Sequence, residues 1–122
     1  MAQTCRLYIG EEQFVWEVGR LWALVRDLPV TMLPVRALQP VLDGELLTPI
    51  RTFLAVAKHA QRIVEADLAY PLILSAEGVI MDGRHRLMKA WMLRRETVAV
   101  VHFPVNPPPD QRLSTAAAAT ST

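Results

Sequence analysis

The segment VIMDGRHRLMKAW (residues 79–91) constrains this chain more than any other. It opens as an apolar run, breaks at Asp82-Gly83, and resumes with Leu87, Ala90 and Trp91 at helical spacing. A strand must therefore give way to a helix within two residues. Glycine permits so sharp a turn and lets another group approach with no Cβ in the way. The helix then begins with Arg84, His85 and Arg86. Cations at that end oppose the partial positive charge of a helix N-terminus, so the crowding calls for an anion. Arg offers a bidentate fork for phosphate oxygens, and His offers a further donor. At about 100° per residue, His85, Arg86 and Lys89 face away from Leu87, Ala90 and Trp91. The spacing predicts an apolar side docked on a sheet and a basic side left open. The plainer reading is a solvated basic face with Asp82 as the helix cap.

The rest of the chain supplies the elements around this junction. EEQFVWEVGRLWALVRDLP places Phe14, Val18, Leu21 and Val25 at helical spacing, closed by Pro29, and predicts one helix. On such a helix Trp16 and Trp22, six apart, cannot share a face, which leaves one for a surface or interface. VTMLPVRAL reads as a short strand, demoted to an edge by Pro34. QPVLDGELL reads as a loop turning at Asp43-Gly44. TPIRTFLAVAKHAQRIVEADL is the best helix, with Thr48 as N-cap and Pro49 at its first position. Its stripe is Ile50, Phe53, Leu54, Ala57, Ala60 and Val64. His59 falls on the flank of that stripe and reads as a solvated residue. PLILSAEGVIM reads as a hairpin of Leu72–Leu74 and Val79–Met81, followed by a helix from Gly83 to about Arg95 and a strand in TVAVVHF. Trp91 reads as a core anchor, and Met81, Met88 and Met92 as core filler.

The expected fold class is therefore α+β, a small mixed sheet with packed helices. The expected organisation is an N-terminal helical extension over residues 1–29, a domain over 30–103, and a tail over 104–122. The tail, PVNPPP followed by Ser, Thr and Ala, has too few large apolar groups to pack and is expected to be disordered and dispensable beyond about Pro107. With 13 basic and 12 acidic residues the net charge is +1, too small for a general affinity for nucleic acid or membrane. Any anion site must then be local. A single cysteine, Cys5, excludes an intrachain disulfide and fits a reducing compartment. With no long apolar run at its start, the chain is expected in the cytoplasm, with no membrane partner. His59, His85 and His102 are dispersed and show no metal-ligand spacing, so no metal site is expected.

Residues 70–103, YPLILSAEGVIMDGRHRLMKAWMLRRETVAVVHF, resemble the core of the ParB/sulfiredoxin superfamily. There a hairpin ending in Asp-Gly or Gly-Gly leads into a His-Arg or Arg-Arg helix start, then an apolar strand. LPVRALQP resembles the family's opening strand and TPIRTFLAVAKHAQRI its intervening helix, so the likeness spans about Val30 to Phe103. The resemblance implies that Gly83, Arg84, His85 and Arg86 bind the phosphates of a nucleotide (ATP, ADP or CTP, with Mg²⁺ as a candidate companion). It also implies that Thr48, Arg51 and Thr52, at the other helix start, face the same ligand. Sulfiredoxins carry their catalytic cysteine where this chain has Arg84, which argues against sulfinic acid reduction. The family's free-serine kinases share a similar junction, so nucleotide hydrolysis or phosphoryl transfer is expected if a carboxylate activates the acceptor. Asp82 is the first candidate for that role, ahead of Asp43 and Glu45. The alternative is a non-enzymatic adaptor or DNA-associated module, although the near-neutral charge does not favour DNA.

Overall fold

The computed structural model describes residues 3–46 and 48–114. Among these, seven strands and four α-helices make a mixed α+β protein. Over the described residues the chain forms two compact units, each assembled from separated segments: Met1–Pro29, Ile73–Asp82 and His102–Thr122 in the first, Val30–Leu72 and Gly83–Val101 in the second.

The first unit begins with β1 (Thr4–Ile9) and β2 (Glu12–Glu17), an antiparallel pair in which Cys5 lies opposite Trp16 and Ile9 opposite Glu12. The two-residue link Gly10-Glu11 turns the chain, with Gly10 at φ 62°. That positive φ matches the twist of tight hairpins and is the conformation glycine adopts without steric cost. The single helix expected over residues 11–28 is therefore corrected. Its first half is strand β2, where Phe14, Val15 and Trp16 have the aromatic and branched side chains that suit a pleated surface. Only its second half is helical, as α1 (Val18–Leu24), whose Val18 and Leu21 are buried. The helical spacing was real for Val18, Leu21 and Val25, and Phe14 matched it by coincidence. Because Trp16 and Trp22 sit on different elements, neither is left on the surface. Trp16 is buried and donates its indole N–H to the Pro107 carbonyl at 2.9 Å.

The tail is corrected as well. β7 (Gln111–Ser114) pairs antiparallel with β2, Phe14 opposite Arg112. The proline run ahead of it offers carbonyls without amide protons, and these serve as acceptors for Trp16 and for Arg20, whose Nη1 reaches the Pro108 carbonyl at 2.7 Å. Asp110 accepts from the Glu17 amide at 2.7 Å and pairs with Arg20 at 3.2 Å. Arg112 pairs with Glu12 at 2.7 Å and lies over the Phe14 ring. Apolar content was the wrong measure for a segment held by polar groups and by a strand edge. The expected disorder of residues 115–122 lies outside the described residues.

The expected hairpin forms, with β4 at Leu72–Leu74 and its second strand, β5 (Ile80–Asp82), one residue later than the expected Val79–Met81; Ile73 lies opposite Asp82 and Leu74 opposite Ile80. Its turn is clamped by Asn106, which accepts from the Ala76 amide at 2.7 Å and donates to Glu77 at 2.8 Å. Ser75, fully buried, accepts from the Val79 amide at 3.0 Å.

The second unit holds β3 (Val30–Pro34) antiparallel to β6 (Thr97–His102), with Met32 opposite Ala99. Beyond Pro34 the expected strand tightens into a 3₁₀ turn, Val35–Leu38, whose Val35 and Leu38 are buried. The expected loop at QPVL is a one-turn helix, α2 (Gln39–Leu42), with Pro40 in its first turn, where a missing amide proton costs nothing. Helices α3 (Phe53–Glu65) and α4 (Arg84–Met92) complete the unit. The N-cap of α3 is corrected from Thr48 to Thr52, whose hydroxyl accepts from the Ala55 amide at 3.0 Å. Both are threonines with the right chemistry. Thr52 lies three residues before the amide that it satisfies, whereas Thr48 sits in a bend outside the helix.

Two outcomes follow. Truncation after Pro107 should destabilise the protein by about 2 kcal/mol, the worth of the lost hydrogen bonds and ion pairs, lowering Tm by roughly 6–12 °C; calorimetry of the full and truncated chains checks this. The Asn106 side chain, the largest influence, together with backbone and Ser75 hydrogen bonds holds the Glu77 carboxyl below its ordinary value of 4.5. A depressed folded-state value means that this stabilisation is complete above the ordinary value and fades as pH falls through the folded one. Asn106→Ala should therefore cost stability near neutrality, and its difference from wild type should shrink below about pH 4.5, measured by urea unfolding.

Candidate phosphate site at the start of helix α4

Gly83 is the N-cap of α4, in a left-handed conformation at φ 114°, and its carbonyl accepts the Leu87 amide at 2.9 Å. A Cβ there would stand 2.6 Å from Leu72 Cδ2 and 2.9 Å from Arg86 Nη2. Glycine is thus required twice, by the backbone and by the close approach. Asp82 does not cap the helix, which corrects the plainer reading of the sequence. Its Oδ2 accepts the Trp22 indole N–H at 2.9 Å within the first unit. With glycine as the cap, no N-cap side chain competes for the leading amides of α4.

The basic side of α4 is less open than its spacing predicts, and each departure has a physical reason. Arg86 is half-buried, its guanidinium folded back over Gly83 and its Nε shielded from solvent. Lys89 donates to the Val64 and Ala66 carbonyls at 2.7 and 2.6 Å, so its ammonium closes the C-terminal end of α3. Carbonyls there are unsatisfied by the helix itself and carry its partial negative charge, which suits a cation. His85 lies beside His59 of α3, ring centroids 5.1 Å apart and tilted by 58°. His59 is thus half-buried against α4 rather than solvated. Arg84 alone of the four stays exposed. Trp91, expected in the core, is 58% exposed, and Leu87 and Ala90 are buried. At this short helix's C-terminal end Trp91 instead lines a cleft of about 560 Å³ with Val35, Arg36, Gln39, Arg95 and Glu96. Met92 is likewise exposed, whereas Met81 is core filler as expected.

The contacts His59–His85 and Val64–Lys89 also fix direction: α3 and α4 run in the same sense. Both helix N-termini therefore point to one side of the unit, and the positive ends of their dipoles with them. Thr52 lies seven residues ahead of His59, about 10 Å along the axis at 1.5 Å per residue. Arg51 and Thr52 are exposed at that end, and Thr52 keeps a hydroxyl proton to donate while its oxygen caps the helix. Thr48 is exposed in the bend that precedes them. His59 is the residue that sequence reasoning missed; its place off the apolar stripe was visible, but only the packing of α3 on α4 brings it to His85. Among the described residues no three His, Cys, Asp or Glu side chains gather to hold a metal, and no helix is long and apolar enough to cross a membrane.

No family model matches this chain, and neither a curated protein nor a solved structure does.

Gly83→Ala should destabilise the protein by roughly 2 kcal/mol or more, combining a strained left-handed alanine with overpacking against Leu72. Chemical denaturation checks this. A cost under about 0.5 kcal/mol would mean that the turn relaxes and that glycine is not required there.

Proposed function

We propose that this protein binds a nucleotide by its phosphates at the start of α4. The observation that carries the reading is a helix that begins on a left-handed glycine without a capping side chain, with Arg84 exposed beside it. The common direction of α3 and α4 supports it by adding a second positive helix end, with Arg51 and Thr52, on the same side. A phosphate there would accept from backbone amides of the first turn and from the Arg84 fork. His85 and His59 would offer ring N–H donors beyond it. The ParB/sulfiredoxin likeness of the junction points to the same chemistry. Mg²⁺ would enter on the phosphate oxygens of the nucleotide, as this ion is ordinarily held in such sites.

Binding without turnover is the second reading, that of an adaptor. The hydrogen bond from Trp22 to Asp82 favours it, because a carboxylate oxygen engaged by an indole is a poorer base for an incoming hydroxyl. Phosphoryl transfer or hydrolysis would still require a carboxylate to activate the acceptor, with Asp82 the nearest in sequence to the phosphate cradle.

Titration calorimetry with ATP, ADP, CTP and GTP, each with and without Mg²⁺, tests the reading. Arg84→Ala should weaken the best ligand by about 1.5–3 kcal/mol, the worth of a hydrogen bond to a charged group, with little effect on folding. Arg86→Ala is expected to lose stability as well as affinity, because its guanidinium packs on Gly83. Arg95→Ala should leave binding intact. Loss of binding in that variant alone would move the ligand to the Trp91 cleft, and the absence of any binding would retire the nucleotide reading. Release of inorganic phosphate from the bound nucleotide would distinguish an enzyme from an adaptor.

A further inference from the structure

The last turn of α4 and the segment after it border the cleft of about 560 Å³ that Trp91 lines, a volume typical of small-molecule sites. Its walls are tied together through the backbone. The Arg95 amide donates to the Ala90 carbonyl at 2.9 Å, and the Arg94 amide to the Trp91 carbonyl at 3.0 Å. Arg94 makes this turn at φ 57°, the left-handed conformation that glycine ordinarily supplies past a helix end. The chain is thereby folded back, and Arg95 and Glu96 line the same cleft as Trp91. The Val35 amide donates to the Glu96 carbonyl at 2.9 Å, which anchors the 3₁₀ turn carrying Arg36 to this segment.

Among the described residues, the side chains of Arg36, Arg95 and Glu96 make no hydrogen bond, ion pair or ring contact, although all three line one cleft. Two guanidiniums against one carboxylate leave a single net positive charge. Trp91, 58% exposed, adds a flat apolar wall. Trp91 and Gln39 also border a second hollow of about 350 Å³, lined by Leu42, Ile63, Met88 and Met92. Asp43, which lines it too, accepts from the Gln39 side-chain amide at 2.9 Å.

We infer that this cleft binds a small amphipathic carboxylate, its charged group on Arg36 and Arg95 and its aromatic or aliphatic body on Trp91, reaching toward the second hollow. A guanidinium fork matches the two oxygens of a carboxylate, and an indole face suits a flat apolar body. A phosphate monoester fits less well. Its charge of about two exceeds the single positive charge on offer, beside Glu96 and the negative end of the α4 dipole. The site lies at the opposite end of α4 from Gly83 and does not depend on the nucleotide reading.

An NMR titration of the full chain with phenylbutyrate, up to about 10 mM to reach weak affinities, tests this. Saturable shifts are expected at Arg36, Trp91 and Arg95. Phenylbutanol, with the same body and no charge, should bind at least about tenfold more weakly, and phenylbutyl phosphate should also bind more weakly. Arg36→Gln and Arg95→Gln should each weaken phenylbutyrate about tenfold, the worth of a hydrogen bond between charged groups, with an unchanged urea midpoint. Trp91→Ala should weaken it too. Lys58→Ala, an exposed cation of α3 outside the cleft, should change nothing. No saturable shift, equal binding of the alcohol, tighter binding of the phosphate, or an affinity that survives both arginine variants would overturn the inference. Shifts centred on Gly83–Arg86 would overturn it as well, by placing the anion at the other end of α4.

Discussion

The left-handed turn at Gly83 is the constraint on which the second unit depends. Without it β5 could not end at Asp82 and α4 begin at Arg84. The backbone there approaches Leu72 and Arg86 so closely that no side chain fits. The consequence is a helix whose start is held by packing, not by a capping hydroxyl or carboxylate. No N-cap side chain takes its leading amides, and the Asp82 carboxylate accepts the Trp22 indole N–H.

The basic residues of α4 divide their labour along the helix. Lys89 closes the end of α3, Arg86 covers Gly83, His85 meets His59, and Arg84 faces solvent. Basic side chains that look alike in sequence thus pack against the protein in three cases and face solvent in one. Surface ion pairs elsewhere, such as Arg112 with Glu12, contribute less individually. Their effect lies in fixing the register of β7 on β2.

Helix α3 shows how an amphipathic pattern can be right about helicity and silent about what the apolar face meets. Its period made it the strongest helix in the sequence, and a helix it is. Yet its contact with α4 runs through a small residue, a histidine and one isoleucine. Its apolar stripe lies on the side that the chain itself does not cover. The physical reason is that amphipathicity records what a face must avoid, namely water, and not which partner supplies the shelter.

Local chemistry was legible wherever a few adjacent residues determine the backbone. The hairpin, the glycine turn, the helix after it and the final strand could all be read from spacing and composition, although β5 lies one residue later than expected and α4 ends at Met92 rather than near Arg95. So could the edge strand at Val30, although not its end at Pro34. What escaped depends on residues distant in sequence. Phe14 to Glu17 became strand because Thr4–Ile9 and Gln111–Ser114 flank them, a pairing that no local period reports. The proline-rich segment is ordered because Trp16 and Arg20, some ninety residues away, need its carbonyls. Thr52 displaced Thr48 as cap, a difference of one helical turn that two equally suitable threonines could not resolve. The sequence by itself determined where the backbone had to turn and which segments were amphipathic, because glycine torsions and side-chain periods are local properties. Tertiary structure alone decided which cations remain open and which way α3 faces, because burial and hydrogen-bond partners are set by packing between distant parts of the chain.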